Sequence, residues 1–246
     1  MSCYDHLAIC YDELTGDVAY EQRADYLEKL FRRAAMPVRT VLDLACGTGT
    51  MTWLLTGRGY EMIGVDGSAE MLAVAMGKYG QVGGIPPIFL QQTMPRLDLY
   101  GTVDAAICCL DSLNYLTRPA DVRRTLQRLR LFVASGGLLI FDVNTPEKFR
   151  ALDGQVFLDE TEDTYCVWRT EYNRRICTYY MDLFRREKSG GWRRSLEIHR
   201  ERCYTVDELT AWLTEAGFGK IRVYGDRKLR RPAGGEQRIY FSCVRL

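Results

Sequence analysis

Residues 41–50 read VLDLACGTGT, and this stretch decides the fold of the chain. An apolar segment passes through a carboxylate into a turn with two glycines, and a helix-like segment follows. Glycines between a strand and a helix allow backbone N–H groups to approach a ligand closely. The stretch therefore predicts a first strand, a ligand-binding turn and a helix.

Apolar and amphipathic segments alternate on both sides of this turn. Such alternation predicts βαβ units and a parallel, doubly wound sheet with helices on both faces. The pattern predicts strands over 39–45, 60–66, 87–91, 103–110 and 137–143. It predicts helices over 18–35, 49–57, 68–79 and 119–134.

The pattern changes after residue 150, where runs rich in Tyr, Thr, Val, Ile and Trp are separated by turn signals. These runs predict three antiparallel strands, near 164–172, 175–187 and 191–203. We interpret residues 151–203 as an inserted β-rich lid. Residues 1–150 and 204–246 then form one α/β domain, Rossmann-like and doubly wound, with a seven-stranded, mostly parallel sheet.

The residues after the lid return to this sheet. Thr205 and Glu208 predict a capping box for a helix over 205–216, and Gly217 predicts its end. The last predicted strands are 219–225 and 238–246.

Length and composition suit one large domain with an insertion, since the chain has 246 residues and is 47% hydrophobic. The net charge of +1 gives no general attraction to nucleic acid or membranes. Met1–His6 lacks a signal-peptide pattern, and no apolar run is long enough to span a bilayer. The nine cysteines form no C-x-x-C pair, so we expect reduced thiols, no metal site and a cytoplasmic protein.

Two features of the glycine-rich turn indicate which ligand it binds. The dinucleotide-binding pattern G-x-G-x-x-G would need a third glycine where this chain has Thr52. Asp43 lies four residues before Gly47, where a carboxylate would repel a pyrophosphate but suit an ammonium and a sulfonium. S-adenosylmethionine (SAM) carries both positive groups and no phosphate, so the turn predicts SAM as the cofactor.

Asp66 ends the second predicted strand, where a carboxylate can accept hydrogen bonds from both ribose hydroxyls. The alternative is that Asp66, Gly67 and Ser68 only cap the next helix, since these residue types favour capping positions. Asp66 follows the second strand, whereas the glycines follow the first, and this distance favours the ribose role. Met71, one turn into that helix, either packs on the adenine or belongs to the core.

Four segments carry a family resemblance, namely residues 43–50, 64–72, 109–116 and 136–142. They resemble class I SAM-dependent methyltransferases of the bacterial small-molecule branch, which includes sugar N,N-dimethyltransferases and glycine N-methyltransferase-like enzymes. The resemblance implies an enzyme that moves a methyl group to a nitrogen or oxygen of a small molecule. The product of the cofactor is then S-adenosylhomocysteine.

The resemblance also implies where the cofactor lies. Its methionine part contacts Ala45 and Gly47, and its sulfonium side lies between Leu110 and Ser112. The family often has an Asp for the adenine amino group where this chain has Thr93, so backbone groups would serve there. The predicted cofactor contacts are Tyr20, Asp43, Ala45, Gly47, Thr48, Gly49, Asp66, Gly67, Met71, Thr93, Met94, Leu110 and Ser112.

Two of the three places predicted to contact the acceptor lie in the α/β part of the chain. The N-terminal Tyr4, Tyr11 and Tyr20 either touch the ligands, as in the resembling enzymes, or anchor a helix to the core. Asn114 and Tyr115 follow the fourth strand, at the edge where open α/β sheets place reactive groups. Their alternative role is to shape that loop.

The third place is the last lid strand, where strand periodicity puts Glu197, His199, Glu201 and Cys203 on one face. Histidine is a side chain that can act as a base at physiological pH, although a single strand histidine is more often structural. The E-x-H-x-x-R-x-Y spacing at 197–204 recurs in the resembling enzymes. We predict three catalytic residues: His199, Tyr115 and Tyr11. The predicted acceptor contacts are Tyr11, Asn114, Tyr115, Glu197, His199 and Arg202.

Positive charge is concentrated in residues 185–202 and 227–231. It fits an anionic acceptor or an RNA surface, but charged hairpins that protect exposed sheet edges explain it more simply. A small-molecule acceptor is therefore preferred. An RNA or protein methyltransferase and a non-catalytic SAM-binding protein are the alternatives.

Overall fold

The structure is a computed structural model that describes residues 7–246, so the predicted contact of Tyr4 lies outside the described residues. The strands are, in chain order, β1 (Thr40–Leu44), β2 (Glu61–Asp66), β3 (Ile88–Gln91), β4 (Val103–Cys108), β5 (Val133–Asn144), β6 (Val156–Glu160), β7 (Thr164–Asn173), β8 (Ile176–Arg186), β9 (Trp192–Arg202), β10 (Phe218–Gly225) and β11 (Arg238–Arg245). The α-helices are α1 (Tyr11–Leu14), α2 (Tyr20–Phe31), α3 (Thr50–Gly57), α4 (Ala69–Gly77), α5 (Pro119–Phe132), α6 (Pro146–Leu152) and α7 (Val206–Glu215).

The large sheet has seven strands in the order β10-β11-β5-β4-β1-β2-β3. All its pairings are parallel except those of β11, which is antiparallel to both β5 and β10. Successive residues of β1 face opposite sides: Val41 packs among α2 and α3, and Leu42 packs among α5 and α7. The predicted Rossmann-like, doubly wound fold is confirmed.

The lid contains a separate antiparallel sheet in the order β6-β7-β8-β9. One face of this sheet is buried and carries Glu197, His199 and Glu201, as the period of β9 predicts. Cys166 and Leu183 on the same face pack against the N-terminal segment at Leu7. The lid therefore covers residues from both the N-terminus and the large sheet.

The three predicted lid strands are present as β7, β8 and β9, and the sequence pattern missed a fourth strand, β6, which pairs with β7. The first three residues of β6, Val156, Phe157 and Leu158, are all apolar, so the strand lacks the alternation that would indicate it in the sequence. The short helix α6 was also missed. It begins at Pro146, is capped by Thr145, and crosses the predicted division at residue 150.

The other predicted elements are confirmed with shifted ends. The helix predicted over 18–35 begins at Tyr20, since Ala19 is left-handed and a 3-10 turn precedes it. The strand predicted over 103–110 ends at Cys108, because Leu110 and Asp111 have positive φ. The capping box at the start of α7 is present.

None of the helices within residues 7–246 combines the length and the apolar composition needed to cross a membrane.

Candidate active site

A cavity of about 780 Å³ lies between the carboxyl ends of the parallel strands and the buried face of the lid. Pockets for small organic ligands usually have volumes of about 300–1,000 Å³. One half is lined by the glycine-rich turn and the ends of β2, β3 and β4. The other half is lined by the end of β5 and by lid residues. We call these the turn half and the lid half.

The backbone of the glycine-rich turn is left-handed at Ala45, Gly47 and Gly49. A Cβ on Gly47 would meet no atom within 4 Å, so this part of the turn leaves room for a ligand. A Cβ on Gly49 would lie 2.9 Å from that of Ala75, so Gly49 permits close packing of the turn on α4. Gly49 is the one predicted cofactor contact among these residues that does not line the cavity.

Asp43 lines the turn half but is almost fully buried. The Thr52 hydroxyl donates a hydrogen bond to Asp43 Oδ2 at 2.6 Å, and no cation within residues 7–246 forms an ion pair with Asp43. Burial raises the pKa of Asp43 to about 7, with a smaller contribution from the charge of Asp66. The site thus holds a buried acid whose ionised form a positively charged ligand would stabilise.

Asp66 ties the turn to the end of β2. Its carboxylate accepts hydrogen bonds from the backbone N–H groups of Gly47 and Ser68, each at 2.8 Å. The N-cap of α4 is Ser68, whose hydroxyl oxygen accepts from the N–H of Met71. A carboxylate has about four acceptor positions, so Asp66 keeps capacity for hydroxyl groups in the cavity.

Asp12 fastens α1 to the turn. Its carboxylate accepts hydrogen bonds from the hydroxyls of Thr48 at 2.6 Å and Thr50 at 3.0 Å, and it pairs with Lys78 at 2.6 Å. Burial would raise the pKa of Asp12, but the hydrogen bonds from Lys78 and the threonines lower it overall. Sequence reasoning gave Asp12 no separate role, because its partners come from two other segments, the turn and the end of α4.

The N-terminal tyrosines Tyr11 and Tyr20 both line the cavity. Burial raises the pKa of Tyr11, and the neighbouring Tyr20 and Asp111 raise it further. Burial raises the pKa of Tyr20 to about 12. Both phenols are therefore neutral at physiological pH.

Tyr115, His199 and Glu197 form a buried chain of polar contacts. The Tyr115 hydroxyl lies 3.3 Å from His199 Nδ1, and His199 Nε2 lies 3.0 Å from a carboxylate oxygen of Glu197. The other Glu197 oxygen accepts the backbone N–H of Leu7 at 2.9 Å. If His199 Nε2 carries the proton toward Glu197, Nδ1 can accept the Tyr115 proton. Tyr115 and His199 line the cavity. Glu197 does not, so its predicted contact with the acceptor is not supported by its placement.

Asn114 and Arg202 do not line the cavity, so the expectation that they contact the acceptor is not supported by their placement. The Asn114 amide donates to the Arg202 carbonyl oxygen at 2.8 Å and accepts the N–H of Asn144 at 3.1 Å. The Arg202 guanidinium lies over the Tyr204 ring. These contacts join β9 to β5 and position Tyr115.

A buried ion network supports the loop after β4. Asp142 is fully buried and accepts the backbone N–H groups of Leu110 at 2.8 Å and Asp111 at 3.0 Å. Arg238 from β11 binds the carboxylates of both Asp142 and Asp111. Sequence reasoning missed this network, since Arg238 lies far along the chain. The network holds Leu110 and Ser112 at the cavity wall.

The remaining predicted contacts in the turn half do line the cavity. They are Ala45, Thr48, Gly67, Met71, Thr93 and Met94.

Comparisons with known proteins agree with this architecture. A family model described as a methyltransferase domain matches residues 41–137. YqeM of Bacillus subtilis (strain 168), a protein named as a methyltransferase, is 32% identical over 244 residues, which cover 98% of this chain and 96% of YqeM.

Two solved structures are similar over most of the chain. An S-adenosylmethionine-dependent methyltransferase from Clostridium acetobutylicum ATCC 824 matches with a TM-score of 0.87 and 25% identity, covering 99% of both chains. The sugar N-methyltransferase KedS8 from Streptoalloteichus sp ATCC 53650 matches with a TM-score of 0.77 and 23% identity. That match covers 92% of this chain and 87% of KedS8, and it shows a shared fold.

Proposed function

Because the chain belongs to the SAM-dependent methyltransferases, we propose that its acceptor is a small molecule methylated on a nitrogen or an oxygen. The main support is that one cavity extends from the glycine-rich turn to Tyr115 and His199 under the lid. A methyl donor and a small acceptor can therefore lie side by side, away from bulk water. Residues 151–203 are, in this proposal, the acceptor-binding lid.

The turn half suits SAM in charge and in hydrogen-bonding capacity. We assign the ribose hydroxyls to Asp66 and the positive groups to the side of Asp43, whose buried carboxyl has no protein cation opposite it within residues 7–246. When bound, SAM supplies a methyl group on a positively charged sulfur. The remaining assigned contacts are Tyr20, Ala45, Gly47, Thr48, Gly67, Met71, Thr93, Met94, Leu110 and Ser112.

Alignment of donor and acceptor supplies most of the rate in such a transfer, and a base helps when the acceptor starts protonated. We propose that Tyr115 and His199 take that proton together. The acceptor's proton moves to the Tyr115 oxygen while the Tyr115 proton moves to His199 Nδ1. The carboxylate of Glu197, at 3.0 Å from Nε2, stabilises the imidazolium that results. Tyr11 shapes the same wall and keeps its proton.

The lid charges give little support to an RNA acceptor. Arg193 pairs with Glu187 at 2.8 Å, and Arg194 pairs with Asp182 at 2.5 Å on the same sheet. Charges that are already paired attract phosphates weakly. We interpret these ion pairs as part of charged hairpins that protect an exposed sheet edge.

The proposal is tested by incubating the enzyme with methyl-labelled SAM and a cell extract, then separating small molecules, RNA and protein. We expect the label in the small-molecule fraction, and a large loss with Tyr115→Phe. Tyr180→Phe is the matched control, because Tyr180 lies on the outer face of the lid near Arg169. Label in RNA or protein would overturn the proposal, and SAM binding without any transfer would indicate a non-catalytic protein.

A further inference from the structure

Glu201 is a buried carboxyl group in the lid half that the proposed proton transfer does not use. It lies on β9 and lines the cavity, yet its side chain is only 3% exposed. The Asn144 amide nitrogen donates to Glu201 Oε2 at 3.1 Å, and Tyr179 is close enough to lower the pKa of this carboxyl. Within residues 7–246, no Arg, Lys or His forms an ion pair with Glu201.

Asn144 provides an independent observation that points to a ligand-binding role. Its carbonyl oxygen Oδ1 is buried and has no hydrogen-bond partner among residues 7–246, although the residue lines the cavity. Buried polar atoms in proteins are nearly always paired, by protein, water or ligand. The amide nitrogen of Asn144 already serves Glu201, so the oxygen is available for an N–H or O–H donor in the cavity.

We call the part of the cavity around Asn144 and Glu201 the amide corner. The residues around it favour a positively charged donor. Asp111 is close enough to influence the charge of Glu201, and the guanidinium that acts on Glu201, Arg238, is already bound to Asp111 and Asp142. The aromatic rings of Trp168, Tyr179 and Tyr115 form the neighbouring walls. Aromatic faces attract cations, and desolvation strengthens that attraction. The amide corner therefore combines hydrogen-bond acceptors with negative charge, which suits a positively charged hydrogen-bond donor.

We propose that Asn144 and Glu201 form a recognition site for a primary or secondary amine of the acceptor, which enters as an ammonium. This inference rests on the proposed methyl transfer, and it narrows the methylated atom from nitrogen or oxygen to nitrogen. An alcohol carries no charge that could pair with the ionised form of Glu201. Asn144 and Glu201 thereby determine specificity, while Tyr115 and His199 remain the groups that take the proton.

Binding at this site is coupled to a proton. Burial raises the pKa of Glu201 well above its ordinary value, and the charge of Asp111 raises it further, against weaker opposing effects of Asn144, Tyr179 and Arg238. The thiol of Cys177 also lies within electrostatic reach. Burial thus favours the protonated form of Glu201 in the free protein. When the ammonium enters, Glu201 releases its proton to the buffer, and an ammonium–carboxylate pair replaces the neutral acid.

The test is calorimetric titration of benzylamine into the enzyme saturated with S-adenosylhomocysteine, with benzyl alcohol as the uncharged match. Parallel titrations in phosphate and Tris buffers report the protons released. We expect benzylamine to bind about tenfold or more tightly than benzyl alcohol, with release of about one proton. Equal affinities, no binding of benzylamine, or no proton release in the wild type would overturn the proposal.

Two variants test whether the preference for the amine and the proton release depend on Glu201. Glu201→Gln keeps an acceptor for Asn144 and cannot ionise, so it should lose the preference for the amine and the proton release. Glu160→Gln is the matched control, because Glu160 is an exposed lid carboxylate that does not line the cavity, and it should behave as the wild type. A variant Glu201→Gln that keeps both properties would overturn the assignment. These measurements need no methyl transfer, so this inference and the proposed function can fail separately.

Discussion

Asp43 is nearly inaccessible to solvent, and it accepts a hydrogen bond from the Thr52 hydroxyl. An ionised carboxylate in such a place is costly unless a cation lies opposite it, which explains the raised pKa. The position of Asp43 before the turn could be read from the sequence. Its separation from protein cations could not, because that depends on packing between segments distant along the chain.

Binding of SAM is expected to strengthen as pH rises from about 6 to about 8, because ionised Asp43 attracts the cofactor's positive charge. The folded-state pKa of about 7 lies above the ordinary value for Asp. The free protein therefore loses stability as pH rises from about 4 to about 7, while affinity for SAM changes about tenfold between pH 6 and 8. Calorimetry across this range measures the effect.

Asp43→Asn provides the control for this pH dependence, since an amide of the same shape cannot ionise. The variant should bind SAM more weakly and with an affinity that no longer changes with pH. Wild-type affinity that is constant over the same range would contradict the role given to Asp43.

Glu197 is a positioning residue, since it contacts His199 and the N-terminal backbone but does not line the cavity. Glu197→Gln should lower kcat by about tenfold or more, because the imidazolium loses its carboxylate partner. The KM for SAM should stay unchanged. Glu171→Gln, on the outer face of the lid beside Tyr180, is the matched control in steady-state kinetics. A change in KM alone would point to a merely structural role.

At the scale of elements, periodicity and turn chemistry predict most of the large sheet and its helices. They fail at β6, which begins with three consecutive apolar residues, and at α6, which is too short to show a helical period. They also cannot predict which elements meet. Tyr115 and His199 are 84 residues apart in sequence, and only the folded lid brings their side chains together.

The helix α1 should hold bound SAM through Asp12. Asp12→Asn removes the ion pair with Lys78 and weakens the hydrogen bonds from Thr48 and Thr50. Loss of one such charged interaction costs about 1.5–3 kcal/mol, so SAM should dissociate about tenfold faster. Stopped-flow measurement of dissociation tests this, with the adjacent exposed Glu13→Gln as control. Equal rates for Asp12→Asn and the wild type would show that α1 does not retain the cofactor.

The capping box of α7 contributes to stability away from the cavity. Thr205 accepts the N–H of Glu208, and the Glu208 side chain accepts the N–H of Thr205. Thr205→Ala should lower the free energy of unfolding by about 1 kcal/mol. Thr214→Ala in the same helix, whose hydroxyl only donates to the preceding turn, should change it by less than about 0.5 kcal/mol. Denaturant unfolding measures both variants. Equal losses in the free energy of unfolding would show that the capping box does not stabilise the protein.

At the scale of the whole molecule, the site depends on segments that the sequence keeps far apart. The N-terminal segment supplies Tyr11 and Asp12, the large sheet supplies Asp43 and Asp66, and the lid supplies His199 and its neighbours. Nearly every lining residue of the turn half could be predicted, because these residues follow directly after strand ends. The lid half could be predicted only in part, because its chemistry depends on which lid face is buried and on what it covers.

The central claim is that the turn half holds SAM with its reactive sulfur directed toward Tyr115 and His199. A crystal structure with S-adenosylhomocysteine tests it most directly. The account predicts ribose hydroxyls at hydrogen-bond distance from Asp66, about 2.5–3 Å, with the amino group on the side of Asp43 and the sulfur facing the lid half. A cofactor whose ribose avoids Asp66, or whose sulfur points away from the lid half, would contradict the account.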